Sequence, residues 1–177
     1  MAVTVTPLGE DLAAEVSGID MTEPLGAEDL AGIERAFLDR RVLRFRGQSL
    51  TVPELAVFSG QFGDLQPHVQ RKFQHPEDPN VVVMRNYGDD GKFDLATASR
   101  GALERLRDGW HSDLSYDPVP AKATLLHAQE IPSRGGDTLM WENRGGVMHC
   151  GRLDYPRDER RRFIRTTVTG QAIEMQL

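Results

Sequence analysis

At 177 residues, 39% of them hydrophobic and 27% charged, the chain has the length and composition of one globular domain able to bury a core without disulfide or metal staples. A formal net charge of −6 argues against a nucleic-acid partner, whose phosphates require a basic surface, and no apolar run approaches the roughly 20 residues of a membrane span. The single cysteine, Cys150, excludes an internal disulfide framework and fits a reducing cytoplasm.

Met1 to Thr6 has no basic start and no long apolar core, so it reads as a first strand rather than a signal peptide. Ala27 to Arg41 places Leu30, Ile33, Phe37 and Leu38 at helical spacing, and Val42 to Arg46 alternates as a strand that ends at Gly47. Thr51-Val52-Pro53-Glu54 is a helix start: Thr51 can cap, Glu54 lies three residues on, and Leu50 can staple against Leu55. That helix is expected to run to about Phe62 and stop at Gly63. Val81 to Met84 is a short β-branched run, Gly88 to Gly109 a loop with one helical turn, and Lys122 to Gln129 a further strand. Pro132 to Asp137 is a turn cluster, followed by strands at Leu139–Trp141 and Arg161–Thr169. Helices early and strands late give an α+β domain with a sandwich or jelly-roll core.

The chemistry begins at Trp110-His111-Ser112-Asp113. Side chains alternate along an extended segment, so His111 and Asp113 share a side and can take adjacent corners of a metal's coordination sphere. A second histidine would complete a two-histidine, one-carboxylate face and leave the remaining positions open. Four candidates exist: His68, His75, His127 and His149. His75 precedes a proline in a polar loop and reads as a surface residue. His127 shares a strand face with Ala123 and Leu125 and reads as a core histidine. His149 follows a glycine pair and precedes a turn, where a ligand can project from a strand end. Arg157, Arg160, Arg161, Arg162 and Arg165 form the one basic cluster, which composition alone reads as a solvated strand edge with a few ion pairs.

Several of these runs together resemble the taurine dioxygenase-like (TauD/TfdA) family. Trp110-His111-Ser112-Asp113-Leu114-Ser115-Tyr116 is similar to its first metal motif, and Ile131-Pro132-Ser133-Arg134-Gly135-Gly136-Asp137-Thr138 follows in order. Met140 to Arg144 with Met148 to Arg152 is similar to the second metal motif, and Arg161 to Gly170 to the co-substrate strand. Gly18-Ile19-Asp20, Val42 to Gly47 and Phe62-Gly63 extend the likeness to the N-terminal part. The resemblance implies a double-stranded β-helix (jelly-roll) core with N-terminal helices over a single domain, residues 1–177. It also implies Fe(II) on His111, Asp113 and His149, with 2-oxoglutarate and O2 as co-substrates. Arg165 would pair with the distal carboxylate of 2-oxoglutarate, helped by Thr138, with Arg161 near the other carboxylate end. An arginine fork suits a carboxylate, and Arg161, Phe163 and Arg165 alternate, which puts both arginines on one side of their strand.

Against the family pattern the chain is short. The Gly136-Asp137-Thr138 and Met140-Trp141-Glu142-Asn143-Arg144 motifs run directly together near residues 138–140, so Asp113 and His149 stand only 36 positions apart. A shortened core exposes strand edges, and a second copy of the chain is the expected partner if one completes it. Where taurine-specific members hold the sulfonate with a histidine, a tyrosine three residues on and an asparagine, this chain has His68, Arg71 and Arg107. That argues against taurine and for another small anionic substrate: a sulfonate, a sulfate ester or an aryloxy-carboxylate. Two other classes remain open, a non-catalytic member that binds metal or forms oligomers, and a zinc hydrolase using the same three ligands.

Overall fold

A computed structural model describes residues 3–94, 97, 110–115, 117–131, 138–143, 147–149 and 158–170. Two four-residue strands open the chain, β1 (Thr4–Pro7) and β2 (Ala14–Ser17), paired antiparallel. Helix α1 (Ala27–Arg40) buries Ile33, Ala36 and Phe37 along one stripe. Its first turn carries Glu28 and Asp29 and its last turn Arg40, each at the end where the helix dipole favours that charge. The helix stops where Arg41 enters the left-handed region at φ 65° and its N–H reaches back to the Phe37 carbonyl. Strand β3 (Val42–Phe45) follows at once.

Helix α2 (Val52–Gly60) starts as the sequence predicts. The Thr51 hydroxyl accepts from the Glu54 N–H, and the Glu54 carboxylate accepts from the Thr51 N–H at 2.7 Å, a reciprocal capping box. Leu50 and Leu55 are both buried beside it. A short 3-10 turn at Arg71–Phe73 leads to β4 (Val82–Arg85), and β5 (Ala121–Glu130), β6 (Thr138–Glu142) and β7 (Arg162–Thr169) complete the described strands.

These strands form one mixed seven-stranded sheet in the order β1-β2-β3-β6-β5-β7-β4, with β2–β3 its parallel pair. The expected α+β class is what the structure shows. Alternation divides the sheet residues between two faces. Ala14, Val16, Leu43, Phe45, Ala123, Leu125, Met140, Ile164 and Val168 are buried in one cluster with Ile33 and Phe37 of α1 and Leu55 and Phe58 of α2. The other residue set, Thr124 and Leu126 of β5 opposite Thr167 and Arg165 of β7, with Trp141 of β6 opposite Thr124, carries the polar groups of the site.

One difference from the sequence reading has a simple cause. Strand β2 was not anticipated, because Ala14–Ser17 is too short to show a period and is fixed by tertiary pairing with β1 and β3. Within Gly88 to Gly109, residues 88–94 form turns closed by a Gly88 N–H to Lys92 carbonyl bond, and Thr97 is helical. The rest of that stretch and the turn cluster at 132–137 lie outside the described residues. Among the described residues no helix is long and apolar enough to cross a membrane.

His127 is the core histidine expected, 3% exposed, with Nε2 accepting the Leu50 N–H at 3.2 Å just ahead of α2. Burial holds its pKa below the ordinary 6.5. The depressed value means that stability from a neutral His127 is fully present above about pH 6.5 and is lost as pH falls through the folded pKa. Urea midpoints at pH 7.5 and 5.5 should show this loss, and His127→Gln should flatten that part of the profile while costing stability at both pH values.

Candidate metal centre

The site is assembled by one backbone bridge. His111 and His149 face each other as an isolated antiparallel pair, each N–H donating to the other's carbonyl at 2.9 Å. In such a pair the two side chains leave the backbone on the same side, and the imidazole centroids lie 4.4 Å apart. The Ser112 hydroxyl donates to the Val147 carbonyl at 2.8 Å and reinforces the bridge. Asp113, two residues beyond His111, returns to the same side. His111 Nε2 lies 3.8 Å from Asp113 Oδ1, and His149 Nε2 lies 3.7 Å from Asp113 Oδ2. Taking one ligand atom from each of the three side chains, all lie within 4.8 Å of one another, close enough that they could hold a metal ion between them. Among the described residues, His111, Asp113 and His149 are the group that could hold one.

The electrostatics suit that use. Burial lowers the pKa of His149, with His111 and Arg165 acting in the same direction against the Asp113 charge. The neutral imidazole that results is the form that binds metal. Trp141 packs its ring on His149 at 4.7 Å between centroids. His149 Nδ1 is buried and has no hydrogen-bond partner among the described residues, so its ring is held by packing and by the backbone bridge.

Asp113 is 7% exposed, and each carboxylate oxygen has a partner. Thr124 Oγ1 on β5 donates to Oδ2 at 2.7 Å, and Arg165 Nη1 on β7 donates to Oδ1 at 3.1 Å. Asn143, just past β6, accepts the Asp113 N–H on Oδ1 at 3.2 Å and donates from Nδ2 to Thr124 Oγ1 at 2.9 Å. The next residue, Leu114, sits at φ 55°, where a leucine costs roughly 1–2 kcal/mol. Thr124 and Asn143 were missed by sequence reasoning. A threonine in a β-strand looks like ordinary strand composition, and its polar role is visible only once β5 and β6 are in register.

Arg165 and Arg161 do not behave alike. Arg165 is at the triad, with its Nε buried and without a partner among the described residues. The Arg161 guanidinium stacks over the Phe163 ring at 4.6 Å, on the strand side the alternation predicts. Thr138 is placed by its backbone at the start of β6, opposite Phe45, and its side chain lies outside what is described. His68 is lowered in pKa by burial and then by the Arg165 charge, which puts it within reach of the site's field. Its Nδ1 lies 3.0 Å from the Gln70 backbone nitrogen and 3.4 Å from the Gln70 carbonyl oxygen. Arg71 is exposed at the start of the 3-10 turn, and Arg107 lies outside the described residues.

Residues 4–140 match the model of the taurine catabolism dioxygenase TauD, TfdA family, and the chain belongs to that family. It is 33% identical over 147 residues to an alpha-ketoglutarate-dependent 2,4-dichlorophenoxyacetate dioxygenase of Cupriavidus pinatubonensis, covering 81% of this chain and 51% of that one. It is 27% identical over 144 residues to an alpha-ketoglutarate-dependent sulfate ester dioxygenase of Pseudomonas putida, covering 81% and 42%. The chain thus spans about half the length of the curated relatives it matches. The crystal structure of a taurine dioxygenase from Burkholderia xenovorans superposes with a TM-score of 0.78 at 19% identity, over 99% of this chain and 96% of that one. That likeness shows the fold, the expected jelly-roll core with N-terminal helices.

In the metal-free protein Arg165 is the counter-charge of a buried carboxylate. Arg165→Met should destabilise by roughly 3 kcal/mol, because it leaves Asp113 buried and unpaired. Saturating Mn(II) should restore much of the loss, since the cation then compensates the same carboxylate. Melting curves of both proteins with and without Mn(II) measure this.

Proposed function

We propose that the chain is a 2-oxoglutarate-dependent dioxygenase that hydroxylates a small anionic organic substrate, with release of succinate and CO2. His111, Asp113 and His149 hold Fe(II) in this reading. The observation that carries it is the convergence of these three side chains, with ligand atoms within 4.8 Å of one another, in a chain of this family. When bound, iron with 2-oxoglutarate supplies the oxidising power from O2 that no side chain here has.

The residues around the triad have definable tasks. Arg165 has five donors and one is engaged on Asp113, so its buried, unpartnered Nε is a donor that the distal carboxylate of 2-oxoglutarate would satisfy. Thr138 and Arg161 are assigned to the same co-substrate by their place in the family motifs. His68 offers a ring nitrogen that can hydrogen-bond an anionic oxygen, and Arg71 and Arg107 add positive charge for the substrate. The relatives that act on a dichlorophenoxyacetate and on sulfate esters support an aryloxy-carboxylate, sulfate ester or sulfonate. Arg71 and Arg107 at the taurine-binding positions argue against taurine itself. A small molecule, rather than a nucleic acid or a membrane, is the proposed partner, and the single Cys150 fits a cytoplasmic setting.

We read residues 1–177 as one domain shortened internally near 138–140. The family match stops at residue 140, inside β6, where the sequence motifs run together. Strand β1 is exposed along its whole length at the end of the sheet, and is the edge a second copy would cover. One observation favours a second reading, in which the chain binds metal without turnover: one Arg165 donor is already spent on Asp113.

Anaerobic titration with Fe(II) and then 2-oxoglutarate separates the two. A weak visible metal-to-ligand absorption is expected in the wild type. His149→Ala should lose iron, and Arg165→Ala should weaken 2-oxoglutarate binding by at least about tenfold. Succinate release on admitting O2 establishes turnover. Iron binding without the band, or the band without succinate, identifies the non-catalytic form, and a folded protein that binds no Fe(II) sinks both readings.

A further inference from the structure

Asp113 is held at both ends by one closed ring of hydrogen bonds, and the ring has a single possible direction. A carboxylate only accepts, so Thr124 Oγ1 must be the donor to Oδ2. With its proton committed, the same hydroxyl oxygen can only accept from Asn143, which therefore turns its Nδ2 toward Thr124. The amide oxygen of Asn143 is then aimed at the Asp113 backbone N–H, which closes the ring. Asp113 is 7% exposed, Thr124 fully buried and Asn143 6% exposed, so water does not substitute for any of the three bonds.

A buried polar ring is a poor way to hold a sheet together, because apolar side chains of similar volume would serve the fold as well. Its geometry fits another task. The three bonds fix the backbone and the carboxylate of the same residue, immediately before Leu114 at φ 55°. They come from β5 and from the end of β6, elements that carry neither His111 nor Arg165. The ring is separate from the Arg165 ion pair, which reaches Oδ1 of Asp113 from β7.

We infer that Thr124 and Asn143 are positioning residues for Asp113, which set the affinity of the triad for a divalent metal by holding the carboxylate in its binding orientation. The inference rests on the metal reading above. Outer partners of this kind are worth about 10- to 100-fold in metal affinity.

The test is Mn(II) binding to the full chain, read from the free Mn(II) signal in electron paramagnetic resonance well below each protein's melting temperature. Thr124→Val keeps the shape and removes the hydroxyl, and should weaken Mn(II) by about 10-fold or more. Thr124→Ser restores the hydroxyl and should bind within about threefold of wild type. Thr166→Val is the control for a lost buried hydroxyl. Thr166 is 1% exposed and bonded to Ser59 at 2.6 Å, and its loss should lower stability but leave Mn(II) affinity unchanged. Asn143→Ala cuts the ring at another corner, keeps Thr124 on Asp113, and covers the case in which Thr124→Val does not fold; a loss of at least threefold is expected. Wild-type affinity in folded Thr124→Val, or in Asn143→Ala, overturns the inference, and so does a parallel loss in Thr166→Val. Failure of the metal reading is distinct, because there the wild type itself binds no Mn(II), and the inference falls with it.

Discussion

The rest of the structure turns on one buried negative charge. A carboxylate taken out of water is costly unless it is paired and hydrogen-bonded, and Asp113 is both. Its partners come from β5, β7 and the end of β6, so three strands distant in sequence must be in register before the charge can be accommodated. The requirement runs both ways. The sheet positions Asp113, and Asp113 rewards the register that brings Thr124 opposite Trp141 and Thr167. The site is therefore an internal consistency condition of the fold rather than a decoration on its surface.

The division of labour between the two sheet faces follows from this. One face is filled by Leu43, Phe45, Leu125, Met140 and Ile164 against the helices and supplies the hydrophobic stabilisation. The other carries hydroxyl, amide, carboxylate and guanidinium groups that a core of this size could not bury at random. A one-residue slip of β5 would exchange Thr124 for Leu125 and place His127 on the wrong face. His127 resists that slip too, because its Nε2 accepts the N–H ahead of α2, and the Ser59–Thr166 hydroxyl pair ties α2 to β7.

Much of this was legible in the sequence, but unevenly, and for physical reasons. The α2 cap, the burial of His127 and the shared side of Arg161 and Phe163 follow from local rules, a capping box and a period of two, and the structure bears them out. The His111–Asp113 pair was suggestive alone, and His149 joined it through motif order. The backbone bridge that sets the two histidines face to face is a long-range contact with no local signature. Thr124 and Asn143 were illegible for the same reason, since each is unremarkable in its own segment. Arg165 was anticipated as a co-substrate anchor, and the sequence held no hint that its guanidinium would also neutralise Asp113.

That pairing bears on how the three side chains are brought together across a short connection. Strand β6 runs without interruption across the place where the motifs abut, hydrogen-bonded to β3 on one side and β5 on the other. From its end the chain needs only Asn143 to His149 to carry the last ligand back to His111, a span the backbone bridge then locks. The two metal motifs are held together in space by β5 and β6, which lie between them in sequence, and by β7, which follows. The charge balance at Asp113 is also local, because Arg165 supplies it from β7. A short connection therefore suffices to bring the three side chains together, with the Arg165 guanidinium as the counter-charge of Asp113.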